Sequence, residues 1–371
     1  MFNNLKYKEH KFLIIFTQSV AQSVVVDNFL GKNKKTYLMS RITIRDIAKL
    51  VGVNPSTVSR ALKDHPDIST SMKAKIQQVA DELGYYPNIQ AVNFRNNQSK
   101  VISLILPEIG RFFMPDMLSG MEEIARKRGY TLVIFQTNDL LEREKECLVL
   151  CRSFGVDGIL ISLSKETRST EHFEVFNKNN IPLVFVDKVI NDDNLATVGI
   201  NGFNSAYTAI QHLAKRNYKK IAGILGNENL SITKNRKAGY LATLKKFNLP
   251  IIDTFCLHPN SIKETKRKVI DLLTSNNPPD ALFCMTDDIL SGVMNAIYEL
   301  NIRVPEDLAI ISISNGYLPY YCQPNITHIK HGGYPTGIAA ANLLVDLIEI
   351  PKQVNNLHIE LETFLVELDS C

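Results

Sequence analysis

The chain lacks most of the motifs that would announce a chemistry. It has no Cys-x-x-Cys pair, no Gly-x-Gly-x-x-Gly after a strand and no Gly-x-x-x-x-Gly-Lys-Ser/Thr. The first absence argues against a redox dithiol or zinc ribbon, the other two against dinucleotide and P-loop phosphate binding. Without His-Glu-x-x-His or Gly-x-Ser-x-Gly, zinc-protease and α/β-hydrolase readings have no support. The eight histidines are scattered, and no catalytic triad can be assembled from their spacing. No stretch reaches the ~20 apolar residues of a membrane span. The six cysteines are dispersed. Cys147 and Cys151, four apart in a helical pattern, have no His near them at ligand spacing, so they read as small buried hydrophobes in a reducing cytoplasm. No catalytic residue, metal site, cofactor or membrane contact is expected.

What remains is an ordinary soluble composition: 371 residues, 45% hydrophobic, 22% charged, net charge +4. That length holds a small domain plus a two-lobed core. The charge is not spread evenly. Between residues 40 and 100 stand nine Lys or Arg against five acidic residues, so the excess sits near the N-terminal end, as phosphate contact requires.

The stretch 42–62, ITIRDIAKLVGVNPSTVSRAL, explains that excess. Ile44, Ile47, Ala48 and Val51 share one helical face, and Thr43 is a good N-cap before them. Gly52 suits the left-handed stop of a helix. Asn54 can cap a second helix, with Pro55 at a first position whose N–H needs no helical partner. Val53 and Val58 are spaced to staple its entry. Two short helices joined by so tight a turn read as a helix-turn-helix whose second helix carries Arg60. A third helix, capped by Ser69 or Thr70 and ended by Gly84, completes a three-helix head.

Thr43, Ile44, Asp46, Ala48, Gly52, Val53, Thr57, Val58, Ser59 and Arg60 together resemble the DNA-binding head of the LacI/GalR family of lactose-repressor-like regulators. Pro87-Asn88 followed by Ala91 is similar to that family's hinge-helix start. The resemblance implies a segment that orders on DNA and wedges an apolar side chain into the minor groove. Relatives usually place Leu there, and the aligned residue here is Phe94. The domains expected are 39–84 for the head, 85–100 for the hinge and 101–371 for the core. Residues 1–38 carry a short apolar burst after a basic stretch, too broken for a signal peptide. They read as a disordered extension, or as lying outside the translated protein with Met39 as the start.

From Val101 onward, short apolar runs alternate with amphipathic helical stretches. Near-continuous apolar strands mean parallel sheets covered on both faces. About ten such units exceed one compact sheet, so two α/β lobes are expected. The resemblance implies a periplasmic-binding-protein-like core with parallel sheets. Its first lobe covers about 101–195 plus 328–350, its second about 196–327 plus 351–371. The chain would cross between them near 187–200, near 325–331 and near Pro351.

The resemblance also implies roles. Double-stranded operator DNA would be met by Thr43, Asn54, Pro55, Ser56, Thr57, Ser59 and Arg60 of each head of a homodimer, and by Asn88, Ala91 and Phe94 of the hinge. A small-molecule effector, a sugar or sugar phosphate, would lie between the lobes. Phe112 and Phe113 would stack on it, Arg236 and its neighbour Lys234 would bind its oxygens, and Thr286 and Asp287 would accept its hydroxyls. The family commonly has Gly-Phe-Asp-Asp after the strand that is AIISIS here. Ser314 replaces the first Asp, so a neutral hydroxyl stands where a charged acceptor is usual. Leu368 departs from an Arg in the family's C-terminal tail, and no function attaches to it. Two rival classes are weaker: an exported sugar-binding protein has no use for a helix-turn-helix, and a sugar-processing enzyme would show a catalytic carboxylate pair or a phosphate loop.

Overall fold

The computed structural model describes residues 42–86, 98–110, 113–189, 194–228, 230–315, 317–353 and 357–371. The expectations for 1–38 and Met39, for Asn88, Ala91 and Phe94 of the hinge, and for Phe112 lie outside the described residues. The chain divides near residue 91 into two compact units.

The first unit contains α1 (Ile44–Val51), α2 (Pro55–Leu62) and α3 (Thr70–Glu82). Thr43 starts α1, and the Asp46 carboxylate accepts from both its backbone N–H (2.9 Å) and its hydroxyl (2.7 Å). That reciprocal cap satisfies a helix-end donor that has no partner within the helix. Gly52 closes α1 at φ 78°, the left-handed region where a Cβ is costly. Asn54 is extended at the N-cap of α2 and Pro55 takes its first turn. Ser69 caps α3, its hydroxyl accepting from the Met72 N–H. Ile47, Ala48, Val51, Val58, Ala61, Ile76 and Ala80 form the shared core, with Val53 packed at its edge.

The second unit holds two six-stranded sheets. One has the order β11-β5-β4-β3-β1-β2 and the other β12-β10-β9-β8-β6-β7, numbering strands along the chain. The first lobe runs through β1 (Val101–Leu106), α4 (Met114–Lys127), β2 (Thr131–Gln136), α5 (Leu141–Phe154), β3 (Gly158–Ile161), α6 (Glu174–Lys178), β4 (Leu183–Val186) and β5 (Ala196–Ile200). The second lobe follows with α7 (Gly202–Lys215), β6 (Ile221–Ile224), α8 (Ser231–Lys246), β7 (Cys256–Leu257), α9 (Ile262–Leu273), β8 (Ala281–Cys284), α10 (Asp287–Leu300), β9 (Ala309–Ser314), α11 (Leu318–Tyr321) and β10 (Thr327–Lys330). The chain returns to the first lobe for α12 (Gly333–Glu349) and β11 (His358–Leu361), then crosses again for β12 (Phe364–Val366). All pairings are parallel except β10 with β12. Central strands are buried on both faces, which is why they read as unbroken apolar runs.

The lobe borders differ from the expected ones. Residues 196–200 pair in parallel with β4 and so belong to the first sheet, and Thr327–Lys330 pairs with β9 in the second. The third crossing falls between Leu361 and Phe364, well past Pro351, because β11 pairs with β5. Which sheet a strand joins depends on its hydrogen-bonding partner, and local apolar pattern does not encode that partner. Cys147 and Cys151 are buried on α5, and all six cysteines are free thiols. Among the described residues no helix is long and apolar enough to cross a membrane.

Glycines set the tightest helix contact in the first lobe. A Cβ on Gly337 of α12 would overlap the Met117 backbone carbonyl of α4, whereas one on Gly110 would meet open space. Gly337→Ala should therefore lower the urea unfolding midpoint, by an amount worth roughly 1–3 kcal/mol of overpacking, despite alanine's better helix propensity. Gly110→Ala is the matched control and should leave the midpoint unchanged.

Candidate nucleic-acid interface and ligand cavity

In the head, the apolar residues of α2 point one way and its polar residues the other. Val58 and Ala61 are buried, while Asn54, Pro55, Ser56 and Arg60 are exposed and Thr57 and Ser59 half-buried. Ser56 and Arg60, four apart, stand one above the other on the outer face. The Arg60 guanidinium is 59% exposed and lies 3.9 Å from the Asp67 carboxylate. A surface pair this long holds the side chain weakly, so it is free to exchange partners. Thr43 is exposed at the start of α1, its hydroxyl committed to Asp46. Asp46 is in turn held below the usual carboxylate range, mainly by that hydroxyl and then by the Thr43 N–H. The head thus presents a rigid helix with hydroxyls, an amide and a guanidinium facing outward. Groups of these kinds are donors suited to phosphate oxygens and to guanine.

In the core, a cavity of about 240 Å³ opens between the lobes, where the chain passes from one to the other. From the first lobe come Phe113, Asp187 and Thr336, together with residues 197–200 of β5 and 358–360 of β11. From the second come Ser231, Ile232, Asn235 and Arg236 of α8. His331 stands in the two-residue crossing between β10 and α12. The position suits a ligand, since open α/β sheets bind at strand ends and domain interfaces. Beside the cavity the Ser231 hydroxyl donates to the Val189 carbonyl (2.5 Å), tying α8 of one lobe to the other.

Arg236 is only 3% exposed. One of its Nη groups donates to the Met285 carbonyl, and its Nε has no hydrogen-bond partner. Burial lowers its pKa to about 10, opposed by the fields of Asp187 and then Asp287, so it remains a cation at neutral pH. His331 is half-buried, with its ring centroid 5.0 Å from that of Phe113 and its enclosed Nδ1 without a partner. Burial first, and the Arg236 cation second, push it down to about 3, which keeps it neutral.

Of the residues expected to meet a ligand, Phe113 and Arg236 line this cavity. Lys234 is exposed on α8 and does not line it, because two residues before Arg236 a helix faces the other way. Thr286, Asp287 and Ser314 are brought together, but beside the cavity wall. Thr286 caps α10 through the Ile289 N–H. The Ser314 hydroxyl donates to Asp287, whose second oxygen accepts from the Asn315 N–H (3.4 Å). Sequence reasoning missed His331, Asp187, Ser231, Asn235 and Thr336. A lone His after a strand carries no spacing signal, and its place in a crossing emerges only from the sheet order. Among the described residues no group of three His, Cys, Asp or Glu side chains could hold a metal ion.

Burial raises the Asp287 carboxyl from 3.8 to about 6, against the Ser314 and Asn315 hydrogen bonds. The folded state therefore keeps this proton over a range where the unfolded chain has released it. Its contribution to stability is full below about pH 4 and is lost as pH rises through about 6. Asp287→Asn should flatten that dependence. The unfolding free energy of the wild type relative to the variant should fall by roughly 1–3 kcal/mol between about pH 4 and 7.5, read by urea titration at each pH.

Two family profiles match the chain. One, described as "Bacterial regulatory proteins, lacI family", matches residues 43–88, and "Periplasmic binding protein-like domain" matches 210–371. The HTH-type transcriptional repressor PurR of Actinobacillus pleuropneumoniae serotype 3 is 29% identical over 311 residues, 84% of this chain and 92% of that protein. The probable HTH-type transcriptional repressor ExuR of Bacillus subtilis is 29% identical over 330 residues, 88% and 97% of the two chains. Among solved structures, the lac repressor dimer bound to operator and the anti-inducer ONPF matches with a TM-score of 0.79 at 20% identity. That match covers 89% of this chain and 99% of the repressor chain, and it speaks to the fold alone.

Proposed function

We propose that the chain is a member of the LacI family of bacterial regulatory proteins, a cytoplasmic repressor that binds a palindromic operator as a homodimer and answers to a small carbohydrate-related ligand held between its lobes. The observation that carries this reading is the exposed polar face of α2 on a three-helix head, inside a stretch, 40–100, where nine Lys or Arg stand against five acidic residues. Each α2 enters a major groove by its N-terminal end. Pro55 and Ser56 start the contact, Asn54, Thr57 and Ser59 bond phosphates, and Arg60 leaves Asp67 to pair with guanine O6 and N7. Thr43 positions α1 against the backbone. Asn88, Ala91 and Phe94 form a hinge helix on DNA, with Phe94 as the wedge that kinks the duplex between half-sites.

The named relatives are repressors, and the lac repressor in the matched structure is a dimer on its operator, which supports the assembly proposed. The relatives' regulatory role, and the absence from this sequence of a recognisable nucleophile, phosphate loop or carboxylate pair, support a binder rather than an enzyme. Phe113 and Arg236 contact the ligand directly, and Thr286, Asp287 and Ser314 act behind Arg236. A ligand with different affinity for the open and closed lobes shifts their equilibrium. That shift changes operator affinity by the same coupling free energy.

Arg60→Ala should weaken specific operator binding by about 1–3 kcal/mol, roughly a 5–150-fold rise in Kd, while leaving binding to unrelated DNA nearly unchanged. A gel-shift titration at one fixed salt concentration measures both. Equal operator affinity in the variant and the wild type would contradict the role given to Arg60.

A further inference from the structure

Two residues at the threshold of the core are held more firmly than a connecting segment needs. Ser99 and Lys100 are the last residues before β1 on the chain that comes from the head. One carboxylate, Asp157 just before β3, accepts three donors from them. The Ser99 N–H (2.8 Å) and hydroxyl (3.0 Å) meet one oxygen, and the Lys100 N–H (2.8 Å) meets the other. The Lys100 carbonyl accepts from the Thr131 N–H (2.8 Å) at the start of β2. Its ammonium lies 4.2 Å from the centre of the Tyr130 ring. It donates to the Tyr130 hydroxyl (3.1 Å) and to Glu349 (3.1 Å), the last residue of α12. Arg128, which follows α4, donates to Glu349 (2.7 Å) and to Asp346 (3.1 Å), so the carboxylate that takes Lys100 is itself fixed. Lys100 also stands at φ 54°. Among the described residues nine other than glycine have a positive φ, and the other eight are Asn or Asp, which tolerate it through local hydrogen bonds. A lysine keeps that backbone only where its surroundings over-determine it.

The second lobe supplies the comparison. Asp280, just before β8, accepts the N–H groups of Lys219 (2.8 Å) and Lys220 (2.9 Å) just before β6. The strands correspond, since β8 pairs with β6 as β3 pairs with β1. There, however, neither lysine has a positive φ, and the chain arrives from α7 of the same lobe. In the first lobe it arrives from the head. We propose that Asp157, with the Lys100–Glu349 pair, is a positioning mount: it fixes the point and direction at which the chain leaves the core toward the head, and so sets the half-site spacing the dimer accepts. This rests on the operator-binding reading and adds to it the residues that govern spacing. Releasing Ser99 and Lys100 lengthens each tether by ~7 Å, at ~3.5 Å per extended residue, which is the rise of about two base pairs. The helix that takes Lys100 also begins where the lobes join. At ~1.5 Å per residue, α12 runs ~25 Å from the crossing that carries His331 to Glu349.

The test is a spacing series with the full chain. The wild type selects a palindromic duplex from a random-sequence library, and the two half-sites are then moved apart by one, two or four base pairs. Gel shifts at one fixed salt concentration give the affinities, and thermal unfolding gives Tm. The wild type should lose about tenfold or more in affinity when the half-sites move by two base pairs. Asp157→Asn should bind those two duplexes within about threefold of each other. Asp280→Asn should lower Tm as much as Asp157→Asn and keep the wild-type selectivity, which separates positioning from the mere start of a strand. Glu349→Gln, at a side chain that is partly exposed, should flatten the series in part, and it carries the comparison if Asp157→Asn does not fold. The proposal is overturned if the wild type accepts all spacings alike. It is equally overturned if Asp157→Asn, or Glu349→Gln in its place, keeps the wild-type selectivity, or if Asp280→Asn flattens the series as much. A wild type that selects no paired half-sites would refute the operator reading itself, and the mount with it.

Discussion

Three short crossings of the chain fix what the core can do. They lie between Ile200 and Gly202, between Lys330 and Gly333, and between Leu361 and Phe364, each no longer than two residues. Because each joins the end of a strand in one sheet to an element of the other lobe, the strand ends of both lobes must stand beside a common space. The cavity forms there. Its most unusual residue, His331, belongs to a crossing itself. Asn201, the residue between β5 and α7, caps α7 through the Asn204 N–H (2.9 Å) and donates to Glu360 on the cavity rim (3.0 Å). Such short connections act as hinges only by changing a few backbone dihedrals, which leaves each lobe rigid and lets their relative orientation respond to what lies between them.

Rigidity within a lobe comes from helices that approach until backbone touches backbone. Gly337 and Gly120 allow α4 and α12 to meet, and Gly239 does the same for α7 and α8 around the Phe203 carbonyl. The head depends on a different device. Its core is seven buried side chains, too few to hold three helices without well-made ends. The Thr43–Asp46 cap, the left-handed Gly52 and the Ser69 cap supply them. The exposed face of α2 is then free to carry polar residues chosen for contact.

Much of this was legible in the sequence, for physical reasons. Helix caps, a left-handed glycine and a proline in a first turn are local signals, so α1 and α2 could be placed within a residue or two. Strand-helix alternation is equally local, and it announced two parallel α/β lobes. Sheet membership was not legible, since β5 and β11 find each other across more than 150 residues of chain. Strand β7 is only Cys256–Leu257, after a turn of 3₁₀ helix at Asp253–Phe255, and two residues are too few for an apolar pattern to announce. In the cavity, Arg236 and Phe113 were found through resemblance. Ser314 was noticed as a departure, but that its hydroxyl turns to Asp287 required the structure. His331 had no signal at all in one dimension.

The proposed role requires two heads reading one symmetric DNA site. Footprinting of the full-length protein on the DNA beside its own gene tests this most directly, with a scrambled fragment of equal length and composition as competitor. The expected result is protection of a palindrome whose half-site centres lie about one helical turn apart, with enhanced cleavage at the central step, the place of the proposed Phe94 wedge. Protection of a single unpaired half-site, or no preference over the scrambled fragment at any concentration, would contradict it.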